Sequence, residues 1–331
     1  MKPKLFISQP IPAKGTEMLS AHFEVEQNGE KRVLSKEELI ARIKGKDALL
    51  CILTDKIDAD VLAAEPNLKI VSNFAVGFNN IDIPAATEKG IVVTNTPGVL
   101  DDTTADFTLA LLLAVARRVA EGDRVCRANE FRGWEPEYML GYDVHGKTLG
   151  IVGLGRIGKE VAKRAKNGFG MKIIYSDAVR QEAAEQELGV EFVELDELLK
   201  QSDFVSLHVP LIDETKHMIS TAQLELMKST ACLLNMARGP VVDEQALIAA
   251  LKEKKIFGAA LDVYENEPDI PAELRALDNV VMAPHLGSAT VEARDAMAEL
   301  SAQNLIDFFS GNKPAAIVNE DAFEKAKARL A

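Results

Sequence analysis

Three charged residues in the second half of the chain follow short apolar runs of the kind that end strands. Arg238 comes after Leu233-Leu-Asn-Met-Ala237, Glu267 closes Asp262-Val-Tyr-Glu-Asn-Glu267 before Pro268, and His285 sits between Pro284 and Leu286-Gly287. Arginine is a planar, permanently charged fork that suits a carboxylate and its neighbouring keto oxygen. Taken singly, Glu267 reads as a solvated loop charge and a lone histidine as structural. His22, His145 and His217 keep that reading, while His208, in Ser-Leu-His-Val-Pro210, is placed to line a nucleotide site. The partner chemistry is written in mid-chain. Thr148–Val152 predicts a buried strand, Gly153-x-Gly155-x-x-Gly158 follows at once, and a helix opens at Arg156-Ile157. A second strand then ends at Asp177, 19 residues beyond Gly158. Strand, glycines, helix and acid in this register form a dinucleotide fingerprint. Gly153 allows the tight turn, Gly155 the approach of a pyrophosphate, Gly158 the packing of helix on strand, and Asp177 reaches a ribose diol. The helix N-terminus offers open N–H groups to the phosphates.

The elements that must hold these groups alternate strand and helix. Strands are predicted at Lys4–Ser8, Ala48–Leu53, Leu68–Phe74 and Ile91–Thr94, with helices between them, one opened by the capping box Ser35-x-x-Glu38. A long helix is expected over Asp101–Val119, and strands resume at Met171–Ser176, Phe204–Val209, Ala231–Asn235, Gly258–Val263 and Val280–Ala283 before a last helix over Ala289–Phe309. Such alternation implies parallel sheets covered on both faces. In doubly wound sheets ligands gather outside the carboxyl ends of strands, where Arg238, Glu267 and His285 all fall. Breakers at Thr96-Pro-Gly98 and Pro284–Ser288 mark two crossings. The expected organisation is therefore a discontinuous domain, 1–98 with 288–331, and an inserted dinucleotide-binding domain, 99–287, with a substrate cleft between them.

The 331 residues exceed one typical core, and 47% hydrophobic with 27% charged residues is an ordinary globular balance. A formal charge of −13 argues against binding nucleic acid. No apolar run reaches the roughly 18 residues of a membrane span, and the N-terminus lacks the pattern of a secretory signal. Cys51, Cys126 and Cys232 are widely spaced, with no CxxC pair, and read as buried free thiols in a reducing, cytoplasmic setting rather than disulfides or metal ligands.

Asn235-x-x-Arg238-Gly239, Asp262-x4-Glu267-Pro268 and Pro284-His-Leu-Gly-Ser288 resemble the three signature motifs of the D-isomer-specific 2-hydroxyacid dehydrogenases. Ala75-Val-Gly-Phe-Asn-Asn-Ile-Asp82 and Val93-Thr-Asn-Thr-Pro97 do so as well, and Gly133–Gly141 points to the glyoxylate/hydroxypyruvate reductases within that family. The resemblance implies two doubly wound α/β domains, a Rossmann NAD-binding domain inserted into a discontinuous flavodoxin-like substrate domain. It implies His285 as proton donor to the keto oxygen, Glu267 holding its tautomer and raising its pKa, and Arg238 binding the carboxylate and polarising the carbonyl. The amides of Val76 and Gly77 would take the other carboxylate oxygen, and Leu53 would form a pocket wall. Asp262 and the Ala237 carbonyl would orient the nicotinamide carboxamide, with Thr104 near the same end and His208 and Pro210 along the cofactor. Asp177 would favour NAD over NADP, whereas many related glyoxylate reductases carry arginine there, and Arg180 stands close by. Residues around Trp134 would belong to a homodimer interface, Trp134 reaching the partner's pocket.

Asn79 stands where the family usually has aspartate, and Val76 where phosphite dehydrogenases carry a substrate-binding lysine. The expected activity is reduction of glyoxylate or hydroxypyruvate. Weighed against it are a preference for 2-ketogluconate, glycerate or branched 2-oxo acids, and an NAD-sensing interaction protein, which the absence of a long tail disfavours.

Overall fold

The computed structural model describes residues 2–330. It divides into two compact units, Met1–Leu100 with Ala289–Ala331, and Asp101–Ser288.

The first unit holds a five-stranded, fully parallel sheet of β1 (Lys4–Ile7), β2 (Glu24–Gln27), β3 (Ala48–Ile52), β4 (Ile70–Phe74) and β5 (Val92–Thr94), in the order β2-β1-β3-β4-β5. That is the flavodoxin-like order. Its central strands are near-continuous apolar runs because both faces are covered. The helix Val291–Phe309 packs on helix Ala13–His22 and against β4, so the last part of the chain completes this unit. Asn319 ties the tail down: its amide donates to the Ile91 carbonyl at 3.0 Å, and its oxygen accepts the Val93 N–H at 2.8 Å. The Ser35–Glu38 capping box forms as expected. Strand β2 was not foreseen; Glu-Val-Glu-Gln has one apolar residue and lies at the sheet edge.

The second unit carries seven parallel strands: β6 (Thr148–Val152), β7 (Lys172–Ser176), β8 (Glu191–Phe192), β9 (Phe204–Leu207), β10 (Cys232–Asn235), β11 (Gly258–Leu261) and β12 (Val280–Met282). Their order is β12-β11-β10-β9-β6-β7-β8. The order reverses between β6 and β9, so the loops after these two strands flank the crevice of a doubly wound sheet. One apolar layer, from Ala105, Leu112, Val161, Ala162 and Ala165, covers one face; a second, from Leu198, Ile219, Leu247, Ile248 and Leu251, covers the other.

Two local expectations are corrected and one open stretch is filled. The helix from Asp101 stops at Ala116, Arg118 turns left-handed (φ 54°), and a separate helix runs Val119–Arg127. The doublet Arg117-Arg118 takes the chain out of the apolar pattern of the first helix, and the second helix buries no residue. Short helices at Glu182–Leu188 and Leu195–Gln201 and strand β8 fill what the sequence left open between β7 and β9. Cys126 is exposed, unlike the buried Cys51 and Cys232, because it lies on that same unburied helix.

Candidate active site

Arg238, Glu267 and His285 follow β10, β11 and β12, three neighbours in the sheet, so parallel pairing alone delivers them to one edge. His285 Nδ1 lies 2.9 Å from Glu267 Oε2. The other Glu267 oxygen accepts the Tyr264 N–H at 3.0 Å, so the carboxylate cannot swing away without giving up two partners. His285 has φ 56°, a left-handed conformation rare outside glycine. The backbone is held there by Asp262: its carbonyl accepts the His285 N–H at 3.0 Å, and its two carboxylate oxygens accept the N–H groups of Leu286 (2.6 Å) and Gly287 (2.7 Å). Three consecutive amides thus converge on one buried aspartate, and strain stored at a candidate catalytic residue is over-determined by its surroundings.

The electrostatics follow from this packing. Burial pushes the Glu267 carboxyl up, but the His285 hydrogen bond and charge, the Tyr264 amide and the Arg238 guanidinium outweigh it and leave it below the usual carboxylate value. Burial pushes Asp262 above its usual value despite its two amide donors. Burial likewise lowers Arg238 from its ordinary value, opposed by Glu267. Arg238 Nη1 donates to the Ala237 carbonyl at 2.8 Å, and Asn235 braces the turn, accepting the Ala237 N–H and donating to the Arg238 carbonyl. The arginine fork is therefore aimed by its own loop.

Thr104 and Asp262 come together at Gly287: their side chains lie 3.3 and 3.2 Å from where a Cβ on that glycine would stand. The Asp262 carboxylate already accepts two amides and the Ala237 carbonyl already accepts Arg238, so a carboxamide would meet one remaining lone pair on each of these three oxygens.

At the nucleotide end, Gly153 has φ 91°, and a Cβ on Gly158 would overlap the Gly153 carbonyl, whereas one on Gly155 would meet nothing within 4 Å. Gly155 N-caps the helix Arg156–Phe169, and among the described residues no side chain caps its first amides. Donors facing open space are what a pyrophosphate requires. Asp177 Oδ2 accepts the Leu154 N–H at 2.8 Å, which fixes the acid against the glycine loop. His208, after β9, packs its backbone against Gly153, and its Nε2 lies 2.8 Å from Ser206 Oγ. Its Nδ1 is buried and, among the described residues, has no partner. Burial pushes this imidazole down to about 4, which keeps it neutral. Pro210 is exposed and gives its carbonyl to Thr215. Open amides and an orphaned nitrogen beside an acid-tipped strand fit a dinucleotide.

In the first unit, Val76 and Gly77 lie on the loop after β4. The Asn95 side-chain amide holds the Val76 carbonyl at 2.8 Å and that of Asn73 holds the Gly77 carbonyl at 2.9 Å. Among the described residues neither the Val76 nor the Gly77 N–H donates a hydrogen bond, so the loop presents two free donors. Asn80 donates to the carbonyls of Ile52 and Asp55, bracing the turn that carries half-buried Leu53. Sequence reasoning missed these three asparagines and Tyr264, whose hydroxyl bonds the Ala283 carbonyl at 2.9 Å and joins the loops bearing Glu267 and His285. Trp134 stands in an irregular segment, 83% exposed.

Residues 109–287 match the family described as "D-isomer specific 2-hydroxyacid dehydrogenase, NAD binding domain". The chain belongs to the D-isomer-specific 2-hydroxyacid dehydrogenases. It is an oxidoreductase with a Rossmann NAD-binding domain. Among relatives of this dehydrogenase, a glyoxylate reductase of Korarchaeum cryptofilum is 54% identical over 97% of each chain, and one of Thermococcus kodakarensis 53% identical over 99% of each. The crystal structure of an NADPH-dependent glyoxylate/hydroxypyruvate reductase from Sinorhizobium meliloti, in complex with NADP and malonate, is similar with TM-score 0.88, 32% identity and 98% coverage of both chains. No helix among the described residues is long and apolar enough to cross a membrane.

Proposed function

We propose that this dehydrogenase is an NADH-preferring reductase of small 2-oxo acids, taking glyoxylate to glycolate and hydroxypyruvate to D-glycerate. The observation that carries the chemistry is the 2.9 Å His285–Glu267 pair, set on strand ends adjacent to the one bearing Arg238. Relatives of more than 50% identity that bear the name glyoxylate reductase support the substrate. When bound, reduced nicotinamide supplies the hydride for C2. Protonated His285 gives its Nε2 proton to the carbonyl oxygen as that oxygen gains charge, and Glu267 on Nδ1 fixes the tautomer and stabilises the imidazolium. Arg238 takes one carboxylate oxygen and draws electron density from the carbonyl. On the substrate domain, the free amides of Val76 and Gly77 would serve a substrate carboxylate oxygen, and Leu53 a pocket wall. Asp262, the Ala237 carbonyl and Thr104 orient the carboxamide; Gly153, Gly155, Arg156, Ile157 and Gly158 cradle the pyrophosphate, with His208 and Pro210 alongside. Asp177 binds the ribose diol and repels a 2′-phosphate. Residues 99–287 form the cofactor domain, and 1–98 with 288–331 the substrate domain.

The exposed apolar side chains of Val119, Phe131, Trp134, Tyr138, Leu140 and Tyr142, gathered in one segment, support a homodimer through it. Three unpaired cysteines support a cytoplasmic setting.

The test is steady-state kinetics on a panel of 2-oxo acids with NADH and NADPH. Glyoxylate or hydroxypyruvate with NADH is expected to lead in kcat/KM by about tenfold or more. Leadership by 2-ketogluconate or a branched 2-oxo acid would overturn the substrate, and turnover faster with NADPH would overturn the role of Asp177.

A further inference from the structure

The turn after β7 contains a cation that the dinucleotide fingerprint does not use. Between Asp177 and the helix Glu182–Leu188 the chain runs Ala-Val-Arg-Gln, and Arg180 is its one basic residue. An arginine near the ribose acid is the feature that accommodates a 2′-phosphate in doubly wound folds. Here the guanidinium is engaged elsewhere. Arg180 Nε donates to Glu185 Oε1 at 2.8 Å and Nη2 to Glu185 Oε2 at 2.9 Å, a bidentate fork. Its Cζ also lies 5.9 Å from the centroid of the Phe192 ring.

Glu185 is the anchored member of the pair, its side chain 17% exposed against 58% for Arg180. The fully buried Tyr175, in the strand that ends at Asp177, donates its hydroxyl to Glu185 Oε1 at 2.8 Å and accepts the Gln181 N–H at 2.8 Å. Tyr175 in turn packs edge-on against Phe192, with centroids 5.4 Å apart. The same phenol therefore fixes both the backbone of the turn and the carboxylate that holds the arginine. Hydrogen bonds from Arg180 and Tyr175 draw the Glu185 carboxyl down to about 2, so the anion persists at neutral pH.

We propose that Glu185 is a specificity-determining residue: it holds Arg180 in a bidentate pair, away from the ribose 2′ position, and so reinforces discrimination against NADPH. The inference rests on Asp177 as the ribose acid and adds a second, separable component to it. With Glu185 in place, the Arg180 charge is matched within the pair and Asp177 is left as the unbalanced acid toward the 2′ position. With Glu185 neutralised, a free guanidinium three residues from Asp177 balances that acid and presents its fork to a phosphate.

The experiment measures NADH, NADPH and adenosine 2′,5′-bisphosphate binding to the full chain by calorimetry, for wild type, Glu185→Gln, Arg180→Ala and the double variant. Glutamine keeps an oxygen for Tyr175 and nearly the same volume. Glu185→Gln is expected to tighten NADPH and the bisphosphate about tenfold and to leave NADH within twofold. Arg180→Ala alone should leave all three within twofold, and in the double variant the gain should vanish. A general loosening of the site would shift NADH and NADPH together, which separates a structural effect from the proposed one. Unchanged NADPH affinity in Glu185→Gln overturns the lock, as does a tenfold loss of NADPH affinity in Arg180→Ala, which would show Arg180 already on the phosphate. Should Glu185→Gln not fold, Glu185→Asp, too short to serve Arg180 and Tyr175 together, must show a smaller gain in the same direction or the lock falls. Wild-type protein that binds NADPH more tightly than NADH defeats the Asp177 assignment instead, before any variant is made.

Discussion

The two ends of the seven-stranded sheet's working edge hold their functional groups in opposite ways. After β10, β11 and β12 the backbone serves the side chains: amides of residues 285–287 close on Asp262, and the Tyr264 amide closes on Glu267. After β6 the side chains withdraw and the backbone itself is the functional surface, with Gly155 facing open space above an uncapped helix. The difference matches the two tasks. Proton transfer tolerates little misplacement of one imidazole, so its orientation is fixed from several directions. Phosphate binding needs several donors left unsatisfied by the protein, and a glycine facing the site, as at Gly155, leaves them approachable.

Removing the imidazole tests the first half of this contrast and carries the largest expected effect. His285→Ala should lower kcat by about 10²–10⁴-fold, the usual contribution of a positioned acid, while NADH affinity stays within a few-fold, since no cofactor contact is assigned to the ring. A variant that retains wild-type turnover removes His285 as the donor. The second half is broken by paired glycine substitutions. Gly155→Ala should fold as stably as wild type, because its Cβ meets nothing, yet bind NADH roughly 10-fold or more weakly by occupying the space meant for the pyrophosphate. Gly158→Ala should instead lose about 1–3 kcal/mol of stability, because its Cβ overlaps the Gly153 carbonyl. Thermal melts without cofactor and calorimetry with NADH check both. Equal melting temperatures and equal affinities in the two variants would erase the distinction between open donors and tight packing.

The same contrast explains what could be read in advance. Both sheets and the placement of Arg238, Glu267 and His285 at strand ends were legible, because buried parallel strands appear as apolar runs and glycine punctuates the turns. What stayed hidden depends on partners far apart in sequence. Nothing local in Tyr264 announces that its hydroxyl reaches Ala283, and nothing in Asn73 or Asn95 announces that they hold the carbonyls of Gly77 and Val76. Asp262 was expected at the nicotinamide; its hold on the His285 turn shows only once β11 and β12 are side by side. The break at Arg117-Arg118 was missed for another reason: acids at the start of a stretch and arginines near its end suit one long helix dipole equally well whether or not a left-handed residue stands inside it. Strands β2 and β8 were invisible because edge strands this short carry too few apolar residues to show a period.

His208 offers the smallest effect and the sharpest view of the nucleotide end, where a buried polar atom without a partner sits beside the open backbone donors. Burial lowers its imidazole to about 4, against about 6.5 for a free side chain. Above about pH 6.5 the ring is neutral in both folded and unfolded chains, and its contribution is complete. As pH falls from 6.5 towards 4, the unfolded chain takes up a proton that the folded chain refuses, so stability drops. The full shift corresponds to about 3 kcal/mol, and partial exposure of the residue reduces the expected loss to roughly 1–2 kcal/mol. His208→Gln, which can keep a nitrogen near Ser206, removes this titration and leaves every other group in place. Urea unfolding without cofactor between pH 4.5 and 7.5 reads the stability difference between wild type and variant. That difference should shrink as pH falls, and NADH should slow the wild-type loss by supplying the missing partner. A difference constant across the range would mean that the ring is not held neutral by burial, and the orphaned nitrogen would no longer mark the nucleotide end.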